Sequence, residues 1–244
     1  MHSGGVHTTR SLDSDVVTSP APAAVLWDMD GTLVDTEPYW MAAERELVTS
    51  HGGTWTAEDG LLLVGSGLQH SANVLQGRGV ALGETEIIDH LTERVLDQAR
   101  SAIPWRPGAR ELLLELRAAG IPLALVTMSM RPLAEHIAEA FDSPMFDAIV
   151  TGGDVEHAKP HPQAYLRAAE LLGVDPRDCL AIEDSVPGLA SAAAAGAVVI
   201  GVPAHVDLPE SASYALWPTL AGRTLDDLVE LFSQERAEAV GEAR

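Results

Sequence analysis

Four short segments of this 244-residue chain carry side chains suited to chemistry at phosphorus. The first, Asp28-Met29-Asp30-Gly31-Thr32, offers two carboxylates two residues apart at the end of an apolar run. A carboxylate attacks phosphorus only when a cation neutralises and orients it, and a second carboxyl nearby can then protonate the leaving oxygen. Asp28 and Asp30 suit those two roles, although a helix-capping turn would use the same residue types. The second segment, Thr127-Met128-Ser129, presents hydroxyls and loop N–H groups able to hold phosphate oxygens, or alternatively to cap the next helix. The third places Lys159 in a loop stiffened by Pro160 and Pro162, which favours a positioned point charge over a mobile surface lysine. The fourth, Glu183-Asp184, supplies hard oxygen donors of the kind Mg²⁺ prefers, with Asp184 open to a second role as an N-cap.

These segments need a scaffold that brings them together. Short apolar runs at 23–27, 122–126, 148–150, 179–182 and 197–202 alternate with helical patterning at 109–119, 132–140, 162–172 and 187–195. Strand and helix alternation of this kind predicts a parallel sheet covered on both faces, an α/β Rossmann-like core. In such a sheet ligands bind outside the carboxyl ends of the strands, so the four segments are expected to converge on one crevice. Residues 37–103 break the alternation: they read as helices interrupted by Gly52-Gly53, Gly65-Ser66-Gly67 and Gly77-Arg78-Gly79. They predict an inserted α-helical cap between two parts of the core, 21–36 and 104–244. Gly65 and Ser66 are candidates for a loop that touches substrate, and Trp40 either stacks on a leaving group or packs in the core.

Composition narrows the partners. Lys plus Arg number 15 against 36 Asp plus Glu, a formal charge of −21, and no basic track appears, so a nucleic-acid partner is not expected. A small phosphorylated metabolite met by a local positive site fits better. No apolar run approaches the roughly 20 residues of a membrane span, so no membrane partner is expected and the cytoplasm is the default compartment. The single cysteine, Cys179, reads as a core thiol. Residues 1–20 read as a disordered tail, and 226–244 as a terminal amphipathic helix that frays, with no evident function.

On these residues the chain resembles the haloacid dehalogenase-like hydrolase superfamily, in particular its phosphatase and β-phosphoglucomutase-like subgroup with a helical cap. The resemblance covers roughly 23–205 and rests on Asp28-Met29-Asp30-Gly31-Thr32-Leu33-Val34-Asp35-Thr36-Glu37, Thr127, Lys159 and Glu183-Asp184 in that order. It implies a Mg²⁺-dependent phosphatase in which Asp28 forms an aspartyl-phosphate and Asp30 protonates the leaving alcohol and later activates water. It further implies Mg²⁺ held by Asp28, the Asp30 carbonyl and Asp184, with Glu183 direct or one shell out. Thr127, Met128, Ser129 and Lys159 would hold the phosphoryl group, and the protein would be a monomer. Asp at position 30 argues against dehalogenation, since a departing halide needs no proton.

Two departures favour hydrolysis over phosphosugar mutation. Trp40 stands where the mutases carry His, and Leu68-Gln69 follows the Gly-Ser loop where they carry a cap arginine. A mutase has to retain a bisphosphate while it reorients, which demands cationic cap contacts. A mutase remains the alternative, and a non-catalytic metabolite-binding module the second.

Overall fold

The computed structural model describes residues 21–242; the tail expected at 1–20 lies outside the described residues. Six strands form one parallel sheet: β1 (Ala24–Trp27), β2 (Leu123–Val126), β3 (Ala148–Val150), β4 (Cys179–Glu183), β5 (Val198–Gly201) and β6 (Ala215–Leu216), in the order β3-β2-β1-β4-β5-β6. β1 is buried along its whole length. Its side chains alternate between two cores, Ala24 and Leu26 in one and Val25 and Trp27 in the other, which is why it reads as an unbroken apolar run. In register, Trp27 lies beside Leu125 of β2 and Ile182 of β4. The residues just beyond these three strands therefore emerge together at one sheet edge.

After β1 the chain makes four helices, α1 (Glu37–Ser50), α2 (Ala57–Leu61), α3 (Leu68–Gly77) and α4 (Glu84–Ser101), before returning to the sheet. Leu47, Leu75, Ile87, Leu91 and Val95 are buried among them, at the helical spacing an amphipathic face requires. The outgoing and returning segments run side by side: Asp35 N–H donates to Pro104 O (2.7 Å) and Arg106 N–H to Leu33 O (3.0 Å). Trp105 completes an antiparallel bridge with Val34 and meets the Phe141 ring edge-on at 5.2 Å.

The core helices are α5 (Ala109–Ala118), α6 (Arg131–Ala138), α7 (Gln163–Leu172), α8 (Val186–Ala195) and α9 (Leu225–Glu242). Their ends differ from the sequence-based expectation by one or two residues. Two differences are larger. β6 is only two residues long, too short to leave a periodic signal. The terminal helix is not a bystander, since Leu228 and Phe232 of α9 are buried in the core. Cys179 is a core thiol as expected: it is fully buried, and burial pushes the thiol up to about 12.

Candidate active site

Asp28 follows β1 directly and is buried, with its N–H bound to Ile182 O of β4. Its Oδ1 accepts from Lys159 Nζ at 2.6 Å. The same ammonium donates to Glu183 Oε1 (2.6 Å) and to Val126 O (2.9 Å), so all three of its protons are used and its direction is fixed. Glu183 also accepts from Tyr165 O–H (2.6 Å) and Ser185 Oγ (3.2 Å). Burial alone would push Lys159 down, but the Asp28 and Glu183 charges outweigh it and hold the ammonium above its usual range. Burial, and then the neighbouring Glu183 charge, push Asp28 up to about 7, against the pull of Lys159. Tyr165 stays a neutral donor, because burial and Glu183 hold its phenol well above the usual value.

Asp30 sits on the turn that follows. The turn is closed by Gly31 N–H to Val34 O (2.7 Å), with Gly31 at φ +85°, where an L side chain is strained. A Cβ on Gly31 would also fall 2.0 Å from Asp184 Oδ2. Four donors converge on the Asp30 carboxylate: Thr36 Oγ1 (2.5 Å) and Trp40 Nε1 (3.0 Å) on Oδ1, Thr127 Oγ1 (3.0 Å) and Ser129 Oγ (2.7 Å) on Oδ2. The hydroxyls expected from the sequence to face phosphate here face Asp30. Met128 between them is buried, and its sulfur accepts from Lys159 N–H at 3.4 Å.

Asp28, Glu183 and Asp184 bring carboxylate oxygens within 4.8 Å of one another. Asp184 is 1% exposed; its Oδ1 accepts weakly from Thr32 Oγ1 (3.4 Å), and its Oδ2 is buried without a hydrogen-bond partner. Burial, then the Asp28 and Glu183 charges, hold Asp184 well above the carboxylate range. Carboxylates crowded in this way, with an orphaned oxygen among them, suit a hard divalent cation.

The helical insert closes the cavity from the other side. Gly65 (φ +73°) packs so close to the turn after β4 that a Cβ there would lie 2.6 Å from the Oγ of Ser185, the N-cap of α8, and Ser66 lines the cavity next to it. Trp40 is 7% exposed and lines the same cavity, with its indole N–H spent on Asp30; it is a buried wall that also holds the carboxylate. Sequence reasoning missed Glu37 and Glu44, two buried acids in the same wall of α1. The available signal was an acid at 37 and at 44 within the stripe that also carries Trp40, Ala43 and Leu47. It missed Tyr165 as well, which lies in a helix with no local cue that its hydroxyl reaches Glu183.

Burial, and for Glu37 also the Asp30 and Glu44 charges, push both glutamates up to about 8. Each folded-state value lies above that of the unfolded chain, so the native state holds extra protons between about pH 4.5 and 8. Stability contributed this way is present below pH 4.5 and is lost as pH rises through 8. Glu44→Gln, which stays neutral, is therefore expected to be more stable than the parent at pH 8 by about 2–4 kcal/mol and nearly equal to it at pH 5. Thermal unfolding of the metal-free proteins at the two pH values checks this, and equal differences at both would contradict it.

The architecture defines a class: a doubly wound parallel sheet with a helical insert after its first strand, and acids from two neighbouring strands meeting at the sheet edge. The model of the haloacid dehalogenase-like hydrolases matches residues 22–196, and the chain belongs to that family. It is thus an enzyme, a hydrolase, and its relatives include named phosphatases. It is 32% identical over 216 residues to hexitol phosphatase B of Escherichia coli strain K12, covering 87% of this chain and 95% of that one. It is 34% identical over 222 residues to protein CbbY of Rhodobacter capsulatus, covering 85% and 98%. The solved CbbY of Rhodobacter sphaeroides with phosphate bound superposes with a TM-score of 0.76 at 31% identity, covering 85% of this chain and 99% of that one. β-Phosphoglucomutase of Clostridium difficile, at 20% identity and a TM-score of 0.77 over 88% and 99%, shares the fold.

Proposed function

We propose that the protein is a Mg²⁺-dependent phosphatase of a small phosphomonoester, a phosphorylated sugar or sugar alcohol, working through a phosphoryl group carried on Asp28. The observation that carries this reading is the Asp28–Lys159–Glu183 array beside an orphaned Asp184 oxygen, with Asp30 held by four donors across the same cavity. Phosphoryl transfer needs positioning and charge neutralisation more than covalent machinery, and these residues supply both. Asp28 and Asp184 would hold Mg²⁺ together with the Asp30 carbonyl, while Glu183, already accepting from three donors, serves chiefly to aim Lys159. When bound, the metal neutralises charge on the phosphoryl oxygens and on the attacking carboxylate.

Asp28 Oδ attacks phosphorus, and the ester oxygen leaves with the proton delivered by Asp30. Asp30 then takes a proton from the water that cleaves the aspartyl-phosphate, which restores both acids. Lys159, pinned by two carboxylates, offers its charge to a phosphoryl oxygen, and the Thr127 and Ser129 hydroxyls, which rest on Asp30, turn to the phosphoryl oxygens when substrate binds. The insert acts as the cap that excludes bulk water, and Gly65 seats it against Ser185 at the start of α8. The names of the phosphatase relatives support the substrate class, as does a phosphorylated carbohydrates phosphatase of Thermotoga maritima, 31% identical over 178 residues.

Phosphate release from a panel of hexose, hexitol and pentose phosphates, with Mg²⁺ and with chelator, tests the reading. Metal-dependent release is expected, whereas interconversion of hexose phosphates primed by a bisphosphate would establish a mutase instead. Trp40 makes a finer prediction. Removing one of the four donors to Asp30 in Trp40→Phe should lower kcat on an alkyl phosphate about 10-fold, since a hydrogen bond to a charged acceptor is worth about 1.5–3 kcal/mol. The loss should be smaller on p-nitrophenyl phosphate, whose leaving group departs without a proton. Equal losses on both substrates would assign Trp40 to packing alone.

A further inference from the structure

The two walls of the cavity differ in charge. Lys159 is the single cation among its described lining residues, and that ammonium is already shared between Asp28 and Glu183. The α1 wall is acidic instead. Glu37, Trp40 and Glu44 fall at i, i+3 and i+7, one face of the helix, and all three line the cavity.

Packing does not account for Glu44. It is 4% exposed in a stripe otherwise filled by Ala43, Leu47 and Val48, and its Oε2 is buried with no hydrogen-bond partner. The nearby Trp55 indole N–H favours the anion slightly but does not reach hydrogen-bond geometry, and Trp55 Nε1 is itself unpartnered. A buried acceptor left unmade is costly, and an apolar residue of similar volume would avoid that cost. The position makes sense if a donor arrives with the substrate.

We infer that Glu44, with Glu37 beside it, is the leaving-group subsite: it accepts hydrogen bonds from the hydroxyls of an uncharged polyol chain and turns away substrates bearing a second phosphate or a carboxylate. The inference rests on the phosphatase reading and narrows it. A second anionic group on the substrate would approach two acids with no cation to meet it. A hydroxyl can donate to a glutamate in either protonation state, since both retain a free acceptor lone pair. Ser66 and Ser71 add hydroxyl partners, and Leu63 and Leu68 give the carbon chain an apolar surface. This wall, with no free cation, is the opposite of what a bisphosphate requires.

The experiment compares kcat/KM, with Mg²⁺, for an acyclic polyol monophosphate, the matching bisphosphate and p-nitrophenyl phosphate, in the parent, Glu44→Gln and Glu44→Leu. The parent should prefer the monophosphate over the bisphosphate by about 100-fold or more. Glu44→Leu should cut the ratio of polyol phosphate to p-nitrophenyl phosphate by about 10-fold or more. Glu44→Gln keeps an acceptor and adds no cation, so it should keep most of that ratio and keep the preference for the monophosphate over the bisphosphate. Thermal unfolding shows whether each variant is folded, and the comparison within the parent decides the matter if Glu44→Leu is not. Ratios unmoved within twofold in a folded Glu44→Leu, or a parent that takes the bisphosphate as readily, overturn the subsite and leave the phosphatase standing. No release from any of the three substrates would remove the phosphatase reading, and the subsite with it.

Discussion

Asp28→Asn is expected to lower kcat by at least about 10⁴-fold on every phosphomonoester the protein hydrolyses, with the fold intact. The amide matches the carboxylate in shape and can still accept from Lys159, so the array that aims the ammonium survives. It lacks the charge that makes the oxygen a nucleophile. It also removes one of three buried carboxylates that repel one another, so the unfolding midpoint of the metal-free variant should equal or exceed that of the parent. Loss of turnover together with retained stability isolates a chemical role. A variant within about 100-fold of the parent would place the nucleophile elsewhere.

Lys159→Met should produce the largest loss of stability among substitutions at the site. The ammonium is nearly inaccessible and is the counter-charge of both Asp28 and Glu183. Removing it leaves two buried acids and the Val126 carbonyl without their shared donor, a class of change that costs about 3–5 kcal/mol. For a chain of this length that is roughly a 10 °C fall in Tm. The loss should grow with pH. Without the ammonium, which pulls both down, Asp28 and Asp184 are held further above their unfolded values, so the native state keeps protons that rising pH removes. Denaturation at pH 5 and pH 8 checks the sign, and a destabilisation larger at pH 5 would contradict the account.

Much of the site was legible because its residues lie at strand ends. Asp28, Thr127 and Asp184 each follow an apolar run that stops abruptly, and a parallel sheet has to bring such positions to one edge. The insert was legible as a break in strand and helix alternation. The contacts between that insert and the sheet were not. Trp40 was left open between stacking and packing because nothing in local spacing reveals that its N–H meets Asp30, ten residues earlier and across a turn. The functions of Thr127 and Ser129 were read as phosphate contacts, yet their hydroxyls also serve Asp30, a partner nearly a hundred residues away. Glu37, read only as the end of the first segment, and Glu44 were not placed in the cavity because acids on a helix are usually solvated, and only tertiary burial distinguishes these two. β6 was missed for want of length, and the packing of α9 because the apolar residues that pack in or against the core, Leu225, Leu228, Leu231 and Phe232, all fall in its first two turns ahead of a charged stretch.

The central claim is that phosphorus is transferred to Asp28 before it reaches water. The most direct measurement is acid quenching during turnover with Mg²⁺, followed by borohydride reduction and peptide mass analysis. An acyl phosphate on an aspartate is reduced to homoserine under these conditions, whereas a free carboxylate is not. The account predicts homoserine at position 28 alone, dependent on substrate and on metal. Rapid phosphate release with no reduced residue at position 28, or with reduction at Asp30 or Asp184 instead, would contradict it.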